Sequence, residues 1–306
     1  MITSLRQGRF LIGGFALALV YFSCGEDTSA PPVDTDDLTG IAYEPVDYEL
    51  VVPSNYPPLE IPEDNPMTVE GVNLGRFLFY DPLLSRDNSM SCASCHLPEG
   101  NFSDNLAKSP GVDGVNGRRS AMVLMDMAFA MNGLFWDGRV TTLEEQALLP
   151  VEDPVELHTT WEEVLEKIIE HPDYPARFRR AFGIENKSQI TRDLAAKAIA
   201  QFERTLVISG NSKYDRVIRG EDVFTDEELA GFEMFFDLNP LLPDAECGHC
   251  HNAPLFTTHE YLNNGITNAP DLRDFPDRGF GMVSGLDIDN GKFRVPTLRN
   301  IEFSAP

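Results

Sequence analysis

Two short stretches of this 306-residue chain hold the residue types most able to do chemistry. Met90 to Gly100 reads MSCASCHLPEG, and Glu246 to Asn252 reads ECGHCHN. Each sets two cysteines three positions apart with a histidine directly after: Cys92, Cys95 and His96, then Cys247, Cys250 and His251. Two thiols at that spacing can add to the two vinyl groups of a haem, and the adjoining histidine can sit beneath the iron as proximal ligand. In an oxidising compartment four cysteines would ordinarily pair as disulfides, and two C-x-x-C pairs could instead share a zinc ion. Zinc leaves His96 and His251 unexplained and needs pairs 155 positions apart to converge. The two pentads are therefore read as attachment sites for two covalently bound haem c groups.

The fifth cysteine, Cys24, belongs to a different feature. Arg6 and Arg9 precede an apolar or glycine run, Phe10 to Phe22 (FLIGGFALALVYF), thirteen residues long. That is too short to span a bilayer and right for the apolar stretch of a secretory signal. Ser23-Cys24 at its end resembles a bacterial lipoprotein cleavage site, with Tyr21 where leucine is usual; an ordinary signal peptide cut nearby is the alternative. Residues 1–23 are expected to be a signal peptide and Cys24 a lipid anchor. Residues 24–59, opening with the acidic GEDTSAPPVDTDD, are expected to be a flexible linker. The expected location is the periplasmic side of a bacterial envelope, with the membrane touched only through the anchor. The formal net charge is −25, and loss of Arg6 and Arg9 with the leader takes it to −27. Nucleic acid is thereby excluded as a natural partner. A basic protein partner would be steered towards such a surface, although acidity also serves solubility alone.

The elements that must position the pentads read as mainly α, with few and short strand signals. Val69 to Phe79 (VEGVNLGRFLF), Trp161 to His171 (WEEVLEKIIEH) and Thr191 to Val207 (TRDLAAKAIAQFERTLV) have helical apolar spacing. Thr225 before DEELAGFEMFF is a good N-cap with acidic residues in the first turn. In each half a helix and a loop lead into the pentad.

With the pentads placed, longer motifs become legible: LGRFLFYDPLLSRDNSMSCASCH, FWDGRVTTLEEQALLPVEDPVE, SKYDRVIRGE, ECGHCHNAPLFT and GKFRVPTLRNIEFSAP. Through them residues 60–306 resemble the bacterial di-haem cytochrome c peroxidase family, which includes the MauG-type enzymes. The resemblance implies two cytochrome c-like domains with long loops. Residues 60–205 would surround the peroxide-reactive haem over His96, and residues 206–306 the electron-receiving haem over His251. It implies that Trp136 lies between the haems and helps electrons pass, and that Gln146, Pro150 and Glu156 form the distal pocket of the first haem. Peroxide cleavage needs a group that takes the proton from the near oxygen and returns it to the leaving oxygen. Glu156 can do this, Gln146 can hydrogen-bond the bound oxygens, and Pro150 shapes the wall. Taken alone, Glu156 would more commonly be a solvated surface carboxylate, and Trp136 a plain core aromatic.

The implied reaction is reduction of hydrogen peroxide to water with electrons from a small reduced cytochrome c or cupredoxin. A MauG-like oxidase that modifies a partner protein, and a non-enzymatic di-haem electron carrier, are the other readings; a homodimer is left open. Three departures from the family pattern bear on the choice. Between His96 and His158 there is no histidine, so the loop Leu97 to Arg119 cannot supply the ligand that closes the first haem in many resting peroxidases. In this respect the chain is more like the MauG-type branch. The sequence stops at Pro306, before the segment that supplies the second haem's sixth ligand in the family, so a fragment is expected; Met282, which precedes the matching motif, is read as a loop or packing residue. The resemblance also implies calcium between the haems, for which Ser120, Ser304 and Pro306 are the candidate ligands, although Ser120 stands where the family has asparagine.

Overall fold

The computed structural model describes residues 35–304. The expected signal peptide, Cys24 and Pro306 lie outside the described residues. No helix among the described residues is long and apolar enough to cross a membrane.

The helices begin where the sequence supplies a cap. Helix α1 (Val69–Tyr80) starts at Thr68, whose hydroxyl accepts from Gly71 N at 3.0 Å. Helices α2 (Leu143–Glu152), α3 (Trp161–Glu170) and α7 (Asp226–Phe235) open on reciprocal caps, Thr142 with Glu145, Thr160 with Glu163 and Thr225 with Glu228. Each hydroxyl satisfies an N–H that the first turn would leave without a partner, worth about 1 kcal/mol apiece. Helix α4 (Tyr174–Phe182) ends on Gly183, whose left-handed φ of 70° suits glycine. Helix α5 (Arg192–Glu203) follows Thr191, and α6 (Lys213–Ile218) follows Ser212. A short α8 (Gly281–Ser284) and two two-residue strands complete the regular structure. The strands, β1 (Tyr261–Leu262) and β2 (Phe293–Arg294), pair antiparallel with Tyr261 opposite Arg294.

The core gathers around the crossing of α1 and α5. Leu74, Leu78 and Phe79 of α1 meet Ala195, Ala198 and Ile199 of α5, with Trp161, Val164 and Ile168 of α3 and Phe178 of α4 completing the layer. Close approach is possible because Gly75 lies directly under the carbonyl of Ala198, where any side chain would collide. This crossing fixes the platform beneath the first pentad.

Two expectations differ from the structure. The sequence reading named no helix at α2, which carries Pro150 in its interior. Proline is tolerated there: it occupies the last turn, and the following loop folds back on the helix end, Leu157 N donating to Pro150 O at 3.1 Å and Thr159 N to Val151 O at 3.0 Å. The described part of the expected flexible linker is also packed rather than loose. Leu38 is buried and its N–H donates to Glu185 O at 2.8 Å; Tyr56 is buried against Phe129. These apolar residues are spaced too widely to show a period, so composition alone reads the segment as unstructured.

Candidate active site

Both pentads fold into the same local device. Cys92–Ser94 and Cys247–His249 are single 3-10 turns. His96 N and Cys95 N both donate to Cys92 O, at 3.0 and 3.2 Å; His251 N and Cys250 N donate to Cys247 O, at 2.9 and 3.3 Å. The turn brings both thiols and the imidazole to one side of a tight loop. All four described cysteines are free. The imidazoles are oriented alike as well. His96 Nδ1 lies 2.9 Å from Phe102 O, and His251 Nδ1 lies 3.1 Å from Phe256 O. A carbonyl can only accept, so Nδ1 carries the proton in each ring and Nε2 keeps the lone pair for a metal. Burial lowers the His96 pKa and keeps the ring neutral. Thiol spacing and ring tautomer fit a covalently held haem at each pentad.

In front of the first pentad lies a cavity of about 1080 Å³. Cys92, Cys95 and His96 line one part of it; Trp136, Gln146, Pro150 and Glu156 line another. Gln146 and Pro150 stand four residues apart on one face of α2, as the helical period requires. Gln146 lines the cavity, and its Oε1 is buried with no hydrogen-bond partner. Glu156 is placed by the loop after α2: its N–H donates to Asp153 O at 3.0 Å, and its carbonyl accepts from Val112 N at 2.8 Å. Burial raises the pKa of its carboxyl and nearby Asp153 adds to this, while Arg139 and Arg118 pull the other way. Trp136 donates from Nε1 to Ser120 O at 3.1 Å, and its own carbonyl accepts from Arg294 N of β2 at 2.9 Å. The tryptophan is thus tied on one side to the cavity wall and on the other to the segment that follows the second pentad.

The second pentad is flanked by aromatic rings. Phe256, whose carbonyl holds His251, lies 4.9 Å from Tyr214 of α6 and 6.0 Å from Phe235 of α7, between ring centroids. Phe232, Phe235 and Phe236 form a run of tilted and edge-on ring contacts beside it. A low-dielectric surround of this kind suits a buried macrocycle.

Several cavity residues were not singled out from the sequence. Arg119 spans Asp137 and Asp277, and Arg139 also donates to Asp137, forming a charged rim. Glu203 lies on the cavity side of α5, buried, with Oε2 unpartnered; burial pushes its carboxyl up to about 8. The signal was present: Glu203 follows Ile199 by four residues on the apolar face of a helix, a position where a carboxylate is out of pattern. Met282 is largely exposed on the rim of this first cavity. Of the calcium candidates, Ser120 stands in the cavity wall with its carbonyl engaged by Trp136, and Ser304 closes the last turn. Among the described residues no cluster of three or more His, Cys, Asp or Glu is arranged to hold a metal ion.

The comparisons agree with this geometry. The family model described as di-haem cytochrome c peroxidase matches residues 69–223. The chain is 34% identical over 258 residues to the cytochrome c551 peroxidase of Nitrosomonas europaea, covering 84% of this chain and 73% of that protein. It is 32% identical over 246 residues to the methylamine utilization protein MauG of Methylophilus methylotrophus, covering 80% and 69%. Among solved structures, a MauG-like protein associated with microbial copper homeostasis superposes with a TM-score of 0.73 at 31% identity, covering 85% of this chain and 77% of that one. The diheme peroxidase BthA from Burkholderia thailandensis gives 0.64 at 26%, covering 76% and 66%. Repeated pentads, matched imidazole tautomers and a carboxylate-bearing cavity over the first of them, with these relatives, place the chain in the di-haem cytochrome c peroxidase family.

Proposed function

We propose that the protein reduces hydrogen peroxide to water with electrons from a small c-type cytochrome or cupredoxin. The observation that carries this reading is the convergence of Gln146, Pro150, Glu156 and Trp136 with Cys92, Cys95 and His96 on one cavity. Family membership implies two c-type haems, and their iron supplies the electron-transfer chemistry when bound. Cys92 and Cys95 would hold the first and Cys247 and Cys250 the second, each as thioethers, with His96 and His251 presenting Nε2 to the metals. Residues 60–205 and 206–306 would be the two haem domains.

The chain's own residues do the proton work. H2O2, two electrons and two protons give two waters, the O–O bond breaking as the outer oxygen leaves. Glu156 must take the proton from the inner oxygen and hand it to the outer one, so the leaving group departs as water rather than hydroxide. It must be ionised to begin, and the neighbouring Arg118 and Arg139 favour that form against burial. Gln146 Oε1, unpartnered, accepts from the peroxide O–H and orients it. Pro150 offers no backbone N–H in the wall to compete. Trp136 spans the seam towards the second pentad and would assist the passage of electrons. Calcium, if held near Ser120, would act by fixing that seam.

The cavity wall contains no histidine besides His96. This supports peroxide access to the first site without prior reduction, and it keeps oxidation of a partner protein as the second reading. The leader-like Phe10 to Phe22 and Cys24 support export to the periplasmic side and lipid anchoring. The test uses the haem-loaded protein, unreduced beforehand, mixed with peroxide and a reduced small cytochrome c whose oxidation is followed by absorbance. Turnover from the first cycle is expected. Consumption of peroxide with the cytochrome left reduced would move protein oxidation ahead, and no reaction would overturn the enzyme reading.

A further inference from the structure

Glu156 sits on the turn that follows α2, and that turn is covered by a hairpin the sequence reading did not single out. The hairpin lies inside the histidine-free loop after the first pentad. Gly117 N donates to Ser109 O and Gly114 N to Gly111 O, both at 2.8 Å, and Gly111 N donates to Val115 O at 2.9 Å. Pro110 and Asn116 pair across it as an isolated bridge. Ser109, Pro110, Gly111 and Gly117 line the first cavity, so one side of residues 109–117 faces the reaction space.

The hairpin is fastened to the turn residue by residue. Val112 N donates to Glu156 O at 2.8 Å, and Arg86 N donates to Leu157 O at 3.0 Å. Gly111 lies flush against the turn: a Cβ there would stand 2.3 Å from Val155 O and 2.9 Å from Glu156 O, and backbone oxygens cannot swing aside. Asp113, near the tip, grips the far flank. Its carboxylate accepts from His158 Nδ1, two residues after Glu156, and pairs with the Arg86 guanidinium. Just past the hairpin, Arg118 Nη1 donates to Asp153 Oδ2 at 3.0 Å; the other oxygen, Oδ1, accepts from Val155 N at 3.0 Å. Asp113 and Arg86 are partly exposed, and pairs of that kind add little to global stability. What they fix is position.

We propose that the hairpin 109–117 positions Glu156 for the peroxide, Gly111 allowing the close approach and Asp113 locking it. The inference rests on the reading of Glu156 as the acid–base group and states what aims it. A carboxylate that hands a proton between two oxygens must stay within hydrogen-bond reach of both, and a misplacement of about 1 Å costs on the order of 10²-fold in rate. The same cover keeps water from the carboxyl. Burial is the main cause of its raised pKa, with Asp153 adding and Arg139 and Arg118 opposing. Loosening the hairpin therefore admits water and lets that pKa fall back towards its ordinary value.

The test is stopped-flow peroxide cleavage across pH by the haem-loaded protein, comparing Asp113→Ala, Gly111→Ala and Glu156→Gln, with Asp113→Ala also made in the Glu156→Gln background. Asp113→Ala and Gly111→Ala are expected to react about 10- to 10²-fold more slowly with haem content unchanged. The acid limb of their rate should also move to lower pH. In the Glu156→Gln background, Asp113→Ala should change nothing further, because it acts through the group already removed. If Gly111→Ala does not mature, the surface variant Asp113→Ala decides alone. A wild-type rate and pH profile in Asp113→Ala, with Glu156→Gln slow, would overturn the positioning role. So would an equal loss in the Glu156→Gln background, or a lower melting temperature with kinetics unchanged. A wild-type rate in Glu156→Gln itself would instead remove the acid–base reading, and the inference with it.

Discussion

Replacing Asp215 by asparagine removes the anion from the most enclosed ion pair among the described residues. The Asp215 side chain is wholly buried and that of Arg299 nearly so. Arg299 donates to both carboxylate oxygens, at 3.0 and 2.8 Å; Asn55 Nδ2 and Ser212 Oγ add donors at 3.0 and 2.6 Å. The pair also spans both pentad loops, because Arg299 Nε donates to Pro254 O at 2.7 Å and Asn101 Nδ2 donates to Arg299 O at 3.4 Å. Asn keeps the shape but leaves the guanidinium buried without a counter-charge, a loss of roughly 3–5 kcal/mol. For a chain of this size that lowers the melting temperature by about 5–8 °C. Thermal unfolding of the haem-loaded protein, followed by far-ultraviolet circular dichroism, measures it. Arg299→Met should cost a similar amount, and the double variant less than the sum, because neither partner is then stranded. The pH dependence has a definite sign. Burial alone would raise the Asp215 carboxyl, but the donors of Arg299, Ser212 and Asn55 outweigh it and hold it well below the usual range. A depressed carboxylate contributes stability above its unfolded value near 3.8 and loses it as pH falls further. The gap between wild type and Asp215→Asn should therefore be full at neutral pH and close in strong acid. Single variants within about 1 kcal/mol of wild type would refute the reasoning, since no desolvated charge would then be at stake.

Glu156→Gln should slow peroxide cleavage by about 10²–10⁴ while haem content stays unchanged, measured by stopped-flow absorbance; in the wild type the rate should fall as pH drops through the raised carboxyl pKa. Glu203, raised from an ordinary 4.5 to about 8, favours the folded state with its proton on, so that contribution is full below pH 4.5 and is lost as pH rises towards 8. Glu203→Gln should flatten the alkaline decline in denaturant stability and gain a few kcal/mol above pH 8, each pH step being worth about 1.4 kcal/mol; a decline identical to wild type would exclude it. Gly75→Ala drives a methyl into the carbonyl of Ala198 and should cost about 3 kcal/mol or prevent α1 and α5 from docking; full helicity at wild-type melting temperature would show that the crossing can slide.

The sequence alone determined what is local. C-x-x-C-H closes on itself through hydrogen bonds four residues apart, so each pentad is readable without its surroundings. Thr225 marks its helix start because a cap is a contact across two or three residues. The family motifs then extended this to Gln146, Pro150, Glu156 and Trp136, each of which does line the first cavity. What tertiary structure decided is long-range. Leu38 and Tyr56 fold into the body of the protein because partners more than seventy residues away receive them, and no periodicity announces that. Pro150 sits inside a helix because the returning loop bonds the helix end. Arg204, Arg294 and Arg299 look alike in sequence, as isolated cations in semi-apolar segments. Only the folded chain gives Arg204 and Arg299 carboxylates, and Arg294 none among the described residues, because whether a buried charge is compensated depends on residues brought together from far along the chain.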